Sequence, residues 1–315
     1  MYKDKTISVV VPCYNEEKQI TRVIETMPEY IDKIVVIDDK SRDKTLDILK
    51  KLQESNKRII LIEHDKNKGV GGAIASGYKW SRDHNIDIAV VMAGDGQMDP
   101  AHLPLLLDPV VSGEVDYTKT NRLLSGNAFS KIPSGRYFGN AMLSMLTKIA
   151  SGYWHIADSQ SGYTAINQKA LRLINWDKMY KKYGQPNDLL VLLNIFNFKV
   201  RDIYTEPLYD IGETSKLSIP RVIFTIPFLL FRRFMYRMKE KYIIRDFHPL
   251  VFFYASGFLL LLLSIPLLVR FIYFWITVDN IPKINFLAWM FCVIIGVQFI
   301  LFAMWFDMES NKDLK

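Results

Sequence analysis

Cysteine is nearly absent: Cys13 and Cys292 are the two in 315 residues. One stands in a β-branched run and the other in a long apolar run, so a disulfide framework is excluded and a reducing compartment fits. No apolar leader opens the chain. Lys3, Asp4 and Lys5 run straight into a strand-like segment, which argues against a secretory signal. Neither G-x-G-x-x-G nor a P-loop occurs, and no acid-bearing dinucleotide fingerprint accompanies the glycines. Acidic residues are scarce where basic ones gather: between Lys216 and Arg245 eight Lys or Arg stand against one acid, Glu240. That stretch carries much of the net charge of +7 and lies beside long apolar runs, which favours an anionic membrane surface over nucleic acid.

What is present reads first as a soluble α/β domain. Short runs rich in Val and Ile at 7–12, 34–37, 59–62 and 88–92 have the length of buried strands. Between them, 16–27, 45–55 and 70–83 carry apolar residues at helical spacing. Strand and helix alternating at this pace predict a parallel sheet with helices on both faces. Ligands of such sheets bind beyond the carboxyl ends of the strands. Three of the four predicted strands run into polar residues there: Tyr14-Asn15-Glu16, Asp38-Asp39 and Asp95-Gly96-Gln97.

Charge then disappears. Residues 249–269 and 286–306 form two runs of 21 without a charged side chain, each long enough to cross a hydrocarbon core of about 30 Å. Buried core helices are the alternative reading, and rarely lack charge for so long. The short link makes an antiparallel hairpin, with Tyr273, Trp275, Trp289 and Trp305 placed for the interfacial belts. No ionisable residue lies inside the runs, which argues against an ion channel or transporter. The basic excess before the first run puts the N-terminal domain, and with it both termini, on the cytoplasmic side. Residues 219–242 mix large apolar with basic side chains around Pro220 and Pro227, and predict one or two helices in the membrane interface or a basic helix packed on the soluble domain.

The motifs sharpen this. Tyr14 offers a ring and Glu16 a carboxylate at the first strand end, suited to a base or ribose. Asp39 suits the same ligand, and Asp38 suits a turn with Ser41 and Asp43. Asn67-Lys68-Gly69-Val70-Gly71-Gly72 opens a helix that can cradle phosphate through its N–H groups, a weak signal alone. Asp95 and Gln97 offer one carboxylate and one amide oxygen, enough for Mg2+ or Mn2+ when phosphate and water complete the shell.

Pro-x-Tyr-Asn-Glu, the Asp-Asp strand end and the Asp-Gly-Gln-x-x-Pro loop together resemble the catalytic domain of glycosyltransferase family 2. With a C-terminal membrane hairpin, the order of elements is most similar to the polyprenyl- and dolichyl-phosphate sugar synthases. The resemblance covers residues 5–217 and implies a GT-A fold, a Rossmann-like nucleotide-sugar domain. It implies that Pro12, Tyr14, Glu16, Ile37 and Asp39 hold the nucleotide, and that Asp95 and Gln97 hold diphosphate and metal. Arg122, Arg136, the run from Asp158 to Tyr163, and Ser215-Lys216 also match the family pattern. Arg122, Arg136 and Lys216 are thereby implied as phosphate grips, for which a guanidinium fork is well shaped. Two positions depart from the family: Ala93 where Asp-x-Asp has its first acid, and Asp210 where a lipid-phosphate synthase has arginine.

The implied organisation is a GT-A domain over 1–217, basic interfacial helices over 218–246, two spans within 247–307 and a cytoplasmic tail over 308–315. The implied reaction moves a hexose from a UDP- or GDP-sugar to a polyprenyl phosphate with inversion, with Asp158 orienting the acceptor and Asp188 touching the sugar. A saccharide or glycolipid acceptor is one alternative, although Gln-x-x-Arg-Trp of the processive synthases is missing. A non-catalytic membrane scaffold that keeps only the nucleotide fold is the other. No nucleic acid partner is expected, and the oligomeric state, homo-oligomer included, stays open.

Overall fold

The computed structural model describes the backbone of residues 1–121, 134–205, 219–278 and 282–315, and their side chains except at 134–140, 219–224 and 278. It resolves into two compact units, Met1–Phe234 with Leu314–Lys315, and Met235–Asp313.

The first unit is built on seven strands: β1 (Ile7–Cys13), β2 (Lys33–Asp38), β3 (Ile59–Glu63), β4 (Ile88–Val91), β5 (Tyr117–Asn121), β6 (Thr164–Asn167) and β7 (Val200–Tyr204). Their order in the sheet is β3-β2-β1-β4-β6-β5-β7. Alternate residues of the β-branched runs serve opposite faces. Val9, Val11, Ile34, Val36 and Val90 pack on one side, and Val10, Val35, Ile37 and Val91 on the other. Helices α1 (Ile20–Glu25), α2 (Thr45–Ser55) and α4 (Leu103–Val111) cover the first face. Helices α3 (Val70–Asp83), α6 (Gln168–Leu173) and α7 (Gln185–Ile195) cover the second. Helix α5 (Ser134–Ser151) lies between β5 and β6 in the chain. Gly77 lets α3 settle on β1, since a Cβ there would meet Val10 Cγ1 at 2.2 Å.

The parallel sheet expected of the four β-branched runs is present, and three further strands make the whole sheet mixed. β1, β2, β3 and β4 are parallel, but β6 runs antiparallel to β4, with Val91 opposite Thr164, and antiparallel to β5, with Lys119 opposite Thr164. The first helix is also shorter than 16–27, because residues 16–19 form a turn in which Gln19 N–H donates to Glu16 O at 3.0 Å. In the same unit Leu314 packs against the second face, and its carbonyl accepts from Val200 N–H at 3.0 Å.

The basic stretch forms one helix, α8 (Ile219–Lys239), that continues through Pro227, followed by a π-helical turn at Glu240–Arg245. Helices α9 (Leu250–Val278) and α10 (Lys283–Ser310) extend beyond the two charge-free runs. Leu250–Thr277 and Lys283–Ser310, holding 18-residue stretches of mean hydropathy 2.3 and 2.4, are each 28 residues long. At 1.5 Å per residue this is about 42 Å, the depth of a bilayer with its headgroups. The pair touches backbone to backbone at two glycines: a Cβ on Gly257 would meet Gly296 O at 2.9 Å. Small residues at such a crossing allow the close approach that holds helices together in lipid.

Within this second unit a polar cluster is fully enclosed. Arg237 donates Nη1 to Asp307 Oδ1 at 2.8 Å and Nη2 to Oδ2 at 2.9 Å, both side chains at 0% exposure. Tyr242 OH donates to Asp307 Oδ1 at 2.6 Å, and Lys241 Nζ to Asn311 Oδ1 at 2.7 Å. Burial, and then the Arg237 charge, push the Lys241 ammonium down from 10.5 to about 7. A lysine with a depressed folded pKa holds its proton less tightly when folded, so its stability penalty is full below about pH 7 and is relieved as pH rises toward about 10. The thermal midpoint in detergent should therefore rise between about pH 6.5 and 9, and Lys241→Met should flatten that part of the profile.

Candidate active site

Parallel pairing brings the ends of β3, β2, β1 and β4 to one edge, where backbone bonds join them. His64 N–H donates to Asp38 O at 3.0 Å, Asp39 N–H to Cys13 O at 2.9 Å and Gly94 N–H to Pro12 O at 3.3 Å. The reversal of β6 brings the loop before it to the same edge, where Thr120 N–H donates to Tyr163 O at 3.0 Å. All three polar strand ends marked in the sequence therefore meet, together with the 158–163 loop.

The loops after β1 and β2 fix each other. Asn15 sits at φ +55°. Its Oδ1 accepts from Arg42 N–H at 2.8 Å, and Glu16 N–H donates to Thr45 Oγ1 at 2.8 Å. Asp38 accepts from Ser41 N–H at 3.2 Å, the turn role expected of it. Asp43 accepts from Thr45 N–H at 3.0 Å and from Glu17 N–H at 3.2 Å. Despite its burial, these bonds hold the Asp43 carboxyl below its usual range. Tyr14 and Glu16 thus stand half-buried on a braced loop. Pro12 is buried in the strand, and Ile37 is a 0%-exposed core side chain against α3. A nucleotide would meet Ile37 only through its strand backbone.

Asp39 holds the next loop. Its carboxylate accepts from Gly69 N–H at 2.7 Å and Lys68 N–H at 2.8 Å, and lies 2.7 Å from His64 Nδ1. His64 Nε2 in turn is 2.9 Å from Ser76 Oγ. The glycine-rich helix start is no phosphate cradle here. Gly71 and Gly72 N–H both donate to Lys181 O, at 3.0 and 3.3 Å. Glycine is needed for this approach: Gly69 is at φ +79°, and a Cβ on Gly71 would lie 2.2 Å from Tyr180 O.

After β4, Gly96 at φ +75° turns the chain so that Gln97 N–H donates to Asp95 Oδ1 at 3.1 Å. Asp99 caps the following turn through Ala101 N–H at 2.9 Å, and its carbonyl accepts from Tyr163 OH at 3.0 Å. Among the described residues no group of three or more His, Cys, Asp or Glu is assembled. One carboxylate and one amide still fit a hard divalent ion whose other ligands are phosphate oxygens and water.

The 158–163 loop rests on residues that the sequence did not single out. Lys119, wholly buried in β5, pairs with Asp202 at 3.6 Å and donates to the Asp158 carbonyl. Asp158 is itself 1% exposed, and its Oδ1 accepts from Gln160 N–H at 3.0 Å. Asn187 Nδ2 donates to Thr147 Oγ1 at 2.7 Å and Ser159 Oγ at 3.2 Å. Asp188 departs from its expected sugar contact. It is 0% exposed, accepts from Tyr180 N–H at 2.7 Å and pairs with Arg233 of α8. Burial pushes its carboxyl up, against the pull of Arg233. Its carboxylate is engaged by the Tyr180 amide and by α8. Arg122, Lys216 and Asp210, and the side chain of Arg136, lie outside the described residues.

Residues 8–174 match the model of the family described as glycosyl transferase family 2. Over 239 residues, 70% of this chain and 94% of the relative, the chain is 32% identical to the UDP-N-acetylglucosamine–dolichyl-phosphate N-acetylglucosaminyltransferase of Methanococcus voltae. It is 27% identical to the undecaprenyl-phosphate mannosyltransferase of Micrococcus luteus, over 58% of this chain and 75% of that one. Among solved structures, glucosyl-3-phosphoglycerate synthase from Mycobacterium tuberculosis, in complex with Mn2+ and UDP, superposes with a TM-score of 0.52 at 18% identity, covering 74% of this chain and 80% of that one. That likeness shows the fold alone, a GT-A-like mixed sheet. With more than half of its length matched by the family model, and its strand ends gathered at one edge of that sheet, the chain belongs to glycosyl transferase family 2 and is a glycosyltransferase.

Proposed function

We propose that this enzyme transfers a sugar from a nucleotide diphosphate to a polyprenyl phosphate at the cytoplasmic face of a membrane, with inversion at the anomeric carbon. The observation that carries the reading is the union, in one chain, of Tyr14, Glu16, Asp39 and Asp95 on adjacent strand ends with two apolar helices of 28 residues. A UDP-sugar is the first choice of donor, because the Methanococcus voltae relative is named for one; a GDP-sugar is the second.

The donor nucleotide would lie against the braced loops of Tyr14 and Glu16, beside the Asp39 strand end, with its diphosphate toward Asp95 and Gln97. Arg122, Arg136 and Lys216 are proposed to grip phosphate. Mg2+ or Mn2+ held by Asp95 and Gln97 would supply positive charge at the departing diphosphate. An acceptor phosphomonoester is largely dianionic at pH 7, so its oxygen attacks without a strong general base. The new O–C1 bond forms as the bond from C1 to the diphosphate oxygen breaks, and the electron pair leaves with the nucleotide. Asp158, held from behind by Lys119, is proposed to orient the acceptor loop.

The test is a donor screen with the full chain in lipid nanodiscs, using UDP-N-acetylglucosamine, UDP-glucose and GDP-mannose, with a short polyprenyl phosphate or a saccharide as acceptor. Mass spectrometry should find a glycosylated polyprenyl monophosphate and free nucleoside diphosphate. A glycosylated saccharide with untouched lipid would overturn the acceptor.

A further inference from the structure

Helix α8 is joined to the nucleotide end of the sheet by polar contacts linked through two short stretches of backbone, all within the first unit. Arg233 Nη2 donates to Asp188 Oδ2 at 3.0 Å and to Lys178 O at 2.8 Å, and Nε pairs with the second carboxylate oxygen. The same Asp188 Oδ2 receives Tyr180 N–H at 2.7 Å. One residue on, Lys181 O receives Gly71 and Gly72 N–H at 3.0 and 3.3 Å. Gly69 and Lys68 N–H end the series on the Asp39 carboxylate, at 2.7 and 2.8 Å.

There is no slack along this path. A Cβ on Gly69 would lie 2.4 Å from Lys181 O, and one on Gly184 would lie 2.9 Å from Leu229 Cδ2 of α8. Segment 178–184 is therefore packed between α8 and the start of α3, with no room for a methyl group at the backbone contact of Gly69. Asp188 has no exposed surface and Arg233 is 15% exposed, so water cannot replace either partner cheaply. On the far side of α8, Phe228 and Phe231 are 71% and 60% exposed, the apolar surface of an interfacial helix.

We propose that Arg233 and Asp188 are positioning residues of the donor site, fixing the Lys68–Gly72 segment, and through it Asp39, according to how α8 is seated. The proposal rests on the reading of the Asp39 strand end as the nucleotide subsite. The buried carboxylate on α7 then converts the position of a basic helix into the geometry of the loop that starts α3. Because the connection runs through donor contacts, it acts on donor recognition and leaves acceptor recognition unchanged.

The experiment uses the full chain in nanodiscs containing anionic phospholipid. Arg233→Gln should raise the donor KM about tenfold while leaving the acceptor KM within about twofold. Arg233→Lys, which keeps the charge and loses the fork, should fall between. Amide exchange of the peptide covering 67–72 should accelerate in Arg233→Gln with the β1 and β4 amides still protected. Gly71→Ala, acting at the far end, should give the same KM split, and the double variant should be no worse than the stronger single one. An unchanged donor KM in Arg233→Gln, or faster exchange throughout the domain with both KM values altered together, would overturn the proposal. Absence of transfer by the wild type would instead overturn the functional reading, and the exchange measurement, which needs no turnover, would still decide the connection.

Discussion

Replacing Asp95 by Ala is expected to lower transfer by about a thousandfold, with no recovery at saturating Mg2+ or Mn2+. The size follows from the composition of the loop. Position 93 is Ala, so no first acid of an Asp-x-Asp pair stands ready, and Asp99 is engaged in capping Ala101. Asp95 is also oriented rather than merely present, since the turn at Gly96 directs Gln97 N–H onto one of its oxygens. Loss of that carboxylate removes the one full negative charge proposed for the metal and leaves an amide as the sole protein ligand. Steady-state assays across metal concentration, with circular dichroism to verify the fold, give the answer. Turnover equal to wild type at saturating metal would remove Asp95 and Gln97 from the site.

Arg237→Ala should destabilise the protein by about 3–5 kcal/mol, whereas Arg237→Met combined with Asp307→Leu should be near neutral. The asymmetry comes from desolvation. Both partners of the fork are at 0% exposure, so removing the guanidinium leaves a carboxylate without water, bonded to a phenol and an amide and with the Lys241 ammonium as its nearby charge. Removing both charges removes the desolvation cost along with the attraction. Chemical unfolding in detergent of Arg237→Met, Asp307→Leu and the double gives the coupling directly. A loss in the double variant equal to the sum of the two single losses would mean that the charges do not act as a pair.

Much of the fold was legible, and for a physical reason. Strands β1, β2 and β4 are apolar, mostly β-branched runs because both of their faces are buried, the edge strand β3 is partly buried, and α2 and α3 carry apolar residues at the helical period. β5 and β6 gave no comparable signal. Tyr117-Thr118-Lys119-Thr120-Asn121 is polar in composition yet buried throughout, with Lys119 accommodated by Asp202, and β6 is four residues long. Periodicity registers which side chains meet oil, and these segments meet other polar groups instead. The site divides the same way. Convergence of the Tyr14, Asp39 and Asp95 ends was readable from spacing, because parallel strands must end together. What Asp39 and the glycines do was not, since Lys181 lies far along the chain from Gly71. Asp188 resembled a ligand contact for want of a visible partner, and Arg233 sat in a segment that reads as lipid-facing.

The reversed strand also constrains the order of assembly. β5 precedes β6 in the chain, but its partners are β6 and β7, and it has no place beside β4. The first four strands can close into a sheet soon after synthesis, through crossovers between near neighbours. β5 must then wait as an unpaired segment until β6 has docked. Closing that longer loop costs entropy before any pairing compensates it, so the step should be the slow one in folding. The interval in which β4 presents a bare edge is the interval in which a nascent chain is most open to capture by another strand, or by a chaperone.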